Sequence, residues 1–111
     1  MQALEVSADG GTLYAGFNGN GVHRTTLTGP ANWEAINIGL DSQTVNDLLF
    51  AGGRIYAATD AGVFRFNEQA VSWAGLNDCL PFIRITSLAV SGQTTKLFAA
   101  TDDGRVFIRP L

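Results

Sequence analysis

The chain is poor in the residues that usually carry chemistry. It has one cysteine, Cys79, and one histidine, His23. A single thiol forms no intrachain disulfide, and with no histidine beside it in sequence it gives no ground for a metal site or an activated thiolate. Charge is also scarce: 15% of residues are charged, and seven Lys and Arg against ten Asp and Glu leave a formal net charge of −3. No basic run interleaves with aromatic residues, so the expectation is no nucleic-acid partner. No apolar stretch approaches the roughly 20 residues that span a bilayer. The start, Met1-Gln2-Ala3-Leu4-Glu5, lacks the basic and apolar regions of a signal peptide. A soluble chain without membrane insertion is expected, its compartment left open. No segment carries a helical hydrophobic period.

What the chain has instead is glycine and repetition. Thirteen glycines serve a chain of short strands joined by tight turns, where positive φ is needed. The phrase Leu13-Tyr14-Ala15-Gly16 returns as Ile55-Tyr56-Ala57-Ala58 and Leu97-Phe98-Ala99-Ala100, its aromatic at 14, 56 and 98, a spacing of 42 residues twice over. Gly21-Val22-His23-Arg24 is answered by Gly62-Val63-Phe64-Arg65, and Trp33 by Trp73. A period of about 40–50 residues built of short strand-like segments marks the blades of a β-propeller.

Each blade reads as four antiparallel strands. The innermost are expected over 3–7, 45–51 and 85–91, the second over 12–17, 54–59 and 96–101, and the third over 21–26, 62–67 and 105–109. Fourth strands centre on Trp33 and Trp73. The fold expected is all-β, a single array over 1–111: blade 1 about 1–40, blade 2 about 41–80 and a three-stranded blade 3 about 81–111. An open array leaves an apolar face bare at each end. Either copies close head to tail into a ring, as a dimer or trimer, or the remaining blades belong to a longer parent propeller.

The run Ser7-Ala8-Asp9-Gly10-Gly11-Thr12-Leu13-Tyr14-Ala15-Gly16, with Gly21-Val22-His23-Arg24 and Trp33 after it, resembles the repeats of the bacterial neuraminidase-repeat or Asp-box-like propellers. That grouping includes photosystem II assembly-factor-like propellers, sortilin-type receptors, sialidases and xyloglucanases. It implies a propeller of bacterial type, with a secreted or periplasmic parent as one setting. The chain departs from the Ser-x-Asp-x-Gly-x-Thr-Trp pattern, because Thr12 runs into Leu13 and the third repeat has Gln93 in place of the Asp. For catalysis the resemblance implies three arginines and a Tyr nucleophile in a sialidase, but Arg24, Arg65 and Arg109 read as repeat features of third strands. Glycoside hydrolysis needs two carboxyl groups about 5–10 Å apart; Glu5, Glu34, Glu68, Asp41, Asp47 and Asp78 read as scattered, and Asp60, Asp102 and Asp103 as turn acids.

No catalytic residue, metal or cofactor is therefore expected. Binding is expected on loops held by rigid strands: 37–44 and 77–84 offer Asp41, Asp78, Phe82 and Arg84 as candidate ligand-binding residues. Trp33 and Trp73 are candidates for stacking on sugar rings; the competing expectation is that both pack between adjacent sheets. The function expected is a non-catalytic interaction or assembly scaffold with a protein or a second copy as partner. The alternative is a piece of a carbohydrate-binding or glycoside-hydrolase propeller.

Overall fold

A computed structural model of the chain describes residues 2–7, 9–76, 83–93 and 96–110. Its elements are all strands: β1 (Ala3–Val6), β2 (Thr12–Phe17), β3 (Gly21–Thr26), β4 (Glu34–Ala35), β5 (Val45–Ala51), β6 (Arg54–Thr59), β7 (Gly62–Asn67), β8 (Ser72–Gly75), β9 (Ile85–Val90), β10 (Lys96–Thr101) and β11 (Val106–Pro110). They form three antiparallel sheets in simple meander order, β1-β2-β3-β4, β5-β6-β7-β8 and β9-β10-β11. No helix among the described residues is long and apolar enough to cross a membrane.

The registers of the three sheets, called blades 1, 2 and 3 in chain order, line up position by position. Tyr14 stands opposite Arg24, Tyr56 opposite Arg65 and Phe98 opposite Ile108. His23, Phe64 and Phe107 therefore share one position, opposite Ala15, Ala57 and Ala99. The same register corrects one expected equivalence: Arg109 pairs with Leu97, one place beyond the Arg24 and Arg65 position, which Ile108 fills instead. Blades 2 and 3 also share an irregularity, with the inner strand skipping a residue where Val45 meets Thr59 and where Ile85 meets Thr101. Thr59 and Thr101 then staple the turns that follow: Ala61 N–H donates to Thr59 Oγ1 at 3.0 Å and Arg105 N–H to Thr101 Oγ1 at 3.2 Å. On the opposite turn, Thr12 N–H donates to Ser7 Oγ at 3.1 Å and Lys96 N–H to Ser91 Oγ at 3.2 Å, so Ser7 and Ser91 are counterparts too.

The strand period of two gives each sheet two faces, and the core lies between sheets. Blade 2 turns Leu48, Ile55, Ala57, Phe64, Phe66 and Trp73 toward Tyr14, Val22 and Ile36 of blade 1. Its other face turns Tyr56, Ala58, Val63 and Leu76 toward Ile85, Leu97 and Ala99 of blade 3. Small residues set the spacing. A Cβ on Gly16 would lie 2.7 Å from Val45 Cγ1, too close for any side chain without a shift of blade 2. Carboxylates tie the inner strands together: Glu5 Oε2 accepts from Phe50 N–H at 3.2 Å, and Asp47 Oδ2 from Leu88 N–H at 2.8 Å.

The fourth strands depart from expectation. β8 holds Trp73 in a four-residue strand, whereas β4 is two exposed residues and excludes Trp33. Trp73 is 5% exposed, with its indole N–H donating to Ile36 O at 2.6 Å; Trp33 is 46% exposed. The reason lies in the order of the sheets. Trp73 leans on blade 1, and among the described residues no sheet lies on the side of blade 1 that Trp33 faces.

Candidate functional site

Two features could meet a partner: a polar cleft between blades 1 and 2, and the two outer sheet faces. The cleft is built around Arg24 on β3, whose position opposite Tyr14 aims it at blade 2. Arg24 Nε lies 2.6 Å from Glu34 Oε1 on β4, and its Nη1 lies 2.6 Å from Glu68 Oε1 in the β7–β8 turn. Its guanidinium carbon sits 5.4 Å from the centre of the Phe66 ring. The carboxylates expected to be scattered are thus joined at Glu34 and Glu68, because a turn on blade 2 reaches back over blade 1. Burial works to depress the Arg24 pKa, but hydrogen bonds to Glu34 and Glu68 hold it above its ordinary value. Burial raises the Tyr14 phenol above its usual 10.0, and the negative Glu68 adds to the effect.

Space of about 400 Å³ lies on each side of this cluster, one volume lined by Tyr14, Phe50, Arg65 and Glu68, the other by Tyr14, Arg24, Glu34 and Glu68. The arrangement is internally paired. Arg24 is committed to two carboxylates, which suits holding two sheets together better than gripping an anion.

At the opposite end of the strands the loops form a polar chain. Gly19 and Gly21 N–H donate to Gln43 O at 3.0 and 2.8 Å, and Asn37 Oδ1 accepts from Val22 N–H at 2.8 Å, so segment 37–44 is laid over its own blade. Asp60 Oδ1 accepts from Asn46 Nδ2 at 2.9 Å and lies 3.4 Å from Arg84 Nε, while Arg84 Nη1 is 4.0 Å from Asp102. Arg84 thus bridges the turns of blades 2 and 3. Asp41 is exposed in the connecting loop and makes no hydrogen bond or ion pair among the described residues. Asp78, Phe82 and Cys79 lie outside the described residues. The structure brings Arg84 together with Asp60 and Asp102, and not with Asp41.

Of the two sugar-stacking candidates, Trp73 has its ring against Phe66 at 5.0 Å and no open side, while Trp33 is accessible. His23 packs edge-on to Phe17 at 5.2 Å, and its buried Nδ1 lacks a hydrogen-bond partner among the described residues. No group of three His, Cys, Asp or Glu among the described residues is placed to hold a metal.

The outer faces are the second feature. Blade 1 exposes Leu4, Val6, Leu27 and Trp33 on the side away from blade 2; blade 3 exposes Val106 and Ile108 on its own far side. The counterparts of Leu4, Trp33 and Val106 inside the stack are covered. Leu4 and Leu48 both stand opposite the repeated alanine, Ala15 and Ala57, yet Leu48 is buried. Val106 holds the position of Val22 and Val63, both buried. Sequence reasoning expected bare end faces but named none of these residues; the signal was the alignment of Leu4, Val6 and Val106 with positions that are apolar in every copy. No protein-family model matches the chain, and a search of curated proteins finds no match.

Proposed function

We propose that the chain is a non-catalytic, propeller-type assembly scaffold of the Asp-box-like kind its repeats resemble, whose two end faces are covered in the working assembly. One observation carries this reading. Leu4, Val6 and Trp33 stand bare at the positions where Leu48, Phe50 and Trp73 are packed against the preceding blade. An exposed surface of that kind has a cost in water and a natural partner in another blade. The cover is either a second copy or the other blades of a longer chain. Light scattering over a range of protein concentrations separates them: a discrete dimer or trimer that persists on dilution supports closure by copies. A monomer or a polydisperse aggregate assigns the missing blades to a parent chain.

A carbohydrate-binding role is the second reading, favoured by the accessible Trp33 indole and the space beside Tyr14 and Phe50. Sugar arrays test it. Saturable binding lost in Trp33→Ala with an unchanged melting temperature supports that reading; no saturable binding by any sugar favours the scaffold.

A further inference from the structure

The self-closing form of the scaffold reading has a more specific consequence, which rests on that reading. We propose that the far face of blade 3 docks on the bare face of blade 1 of a second copy, with Ile108 set against Leu27 of that copy. The position of each follows from register. Phe98 opposite Ile108 matches Tyr14 opposite Arg24, so Ile108 occupies the Arg24 position. Arg24 and Arg65 are equivalent, and three residues further along each chain lie Leu27 and Glu68. In the junction of blades 1 and 2 Arg24 meets Glu68 at 2.6 Å across two sheets, whereas Arg65 in the junction of blades 2 and 3 makes no ion pair among the described residues. The two end faces therefore replace both members of that ion pair, Arg by Ile on one face and Glu by Leu on the other.

This paired replacement is what a shared interface requires. In the internal junction the Arg24 side chain is 17% exposed and Glu68 66% exposed, so an Arg at the Ile108 position facing Leu27 would lose most of its hydration without a partner, which costs more than an apolar contact. A solvated face gains nothing from the change, yet Leu27 is 47% and Ile108 53% exposed in the single chain. The neighbouring positions agree. Val106 stands where Val22 meets blade 2, and Val6 stands where Phe50 stacks on Tyr14 at 6.5 Å, so a docked copy would bring Val6 to Phe98. The contact is heterologous and repeats the blade-to-blade step already made twice in the chain, so successive copies turn in the same sense and a ring can close.

The test uses the full chain in four forms: wild type, Leu27→Glu, Ile108→Arg, and the doubly substituted chain, with association constants from light scattering or sedimentation and folding checked by circular dichroism. Both sites are surface positions in the monomer, so the singles are expected to fold; Leu27→Gln and Ile108→Gln serve if a charged variant does not. Ile108→Arg should weaken association by about tenfold or more, because it buries an unpaired charge, Leu27→Glu by less, because the matching Glu68 keeps most of its side chain in water, and the double should recover to within roughly threefold by setting carboxylate against guanidinium. Singles that associate like the wild type, or a double no better than the weaker single, overturn the pairing and leave self-association on some other surface. A wild type that stays monomeric at every concentration overturns the pairing together with the self-closing form of the scaffold.

Discussion

At the scale of single residues the strain and the charge are local and separately testable. Val71 holds φ at 50° in the exposed β7–β8 turn, a left-handed conformation that a β-branched side chain resists. Asn67 Oδ1, accepting from Gln69 and Ala70 N–H at 3.0 and 3.2 Å, shapes the turn that imposes it. Val71→Asn should raise stability by about 1 kcal/mol, read from the urea midpoint, since strain of this kind costs of that order. A lowered midpoint would show that Val71 contributes packing that outweighs its strain. Gly39 is the opposite case: its φ is +89° and a Cβ there would overlap the Trp73 carbonyl oxygen, so Gly39→Ala should cost ~2–3 kcal/mol.

Asp103 gives a pH signature at the same scale. Hydrogen bonds from the Arg105 guanidinium first, and from the Thr101 hydroxyl second, lower its carboxyl from 3.8 to about 2. The folded group gives up its proton more readily than the unfolded one, so its contribution is complete above the unfolded value and disappears as pH falls through the folded one. Carboxyl resonances followed by NMR should place the Asp103 midpoint near that low value, and Arg105→Gln should move it upward. A midpoint unmoved by that substitution would assign the depression to Thr101 and the turn.

At the scale of elements, the two fourth strands separate what local sequence encodes from what the neighbourhood decides. Trp73→Ala removes a ring packed on Phe66 with its N–H bound to Ile36 O, and should cost ~3–5 kcal/mol. Trp33→Ala, at a bare face, should cost the monomer less than about 1 kcal/mol. Equal losses in thermal or chemical unfolding would mean that Trp33 is covered in solution. The contrast also shows where sequence reading stops. The second strands, β2, β6 and β10, were legible residue by residue, because Tyr14, Tyr56 and Phe98 with their flanking alanines and glycines carry both the period and the alternation. Trp33 and Trp73 read as one position, which the register bears out, but their burial differs because it depends on a sheet that only Trp73 has. Likewise Glu34 and Glu68 looked scattered, since nothing in linear spacing tells that a blade 2 turn folds back over Arg24. Arg109 looked equivalent to Arg24 because single-letter similarity does not fix a register by one residue; the pairing of Phe98 with Ile108 does.

At the scale of the molecule, a row of sheets that touch only their neighbours behaves as a one-dimensional array in which stability depends on covered faces. Blade 2 is covered on both sides, blades 1 and 3 on one each. In addition β11 has no fourth strand beside it among the described residues, so blade 3 keeps an unpaired edge as well as a bare face. Amide exchange in dilute protein should therefore be slowest in β6 and β7 and faster in β2 and β10, although all four are central strands. If copies close the array as proposed, raising the concentration should slow exchange in blades 1 and 3 while leaving blade 2 nearly unchanged, because opening free energies rise with the bound fraction. Protection that rises in blade 1 alone would point to a partner on the Leu4, Val6 and Trp33 face and leave Val106 and Ile108 in water. A profile independent of concentration, with blade 2 still the most protected, would mean that the array is stable as three blades and that its end faces are covered by the other blades of a longer chain.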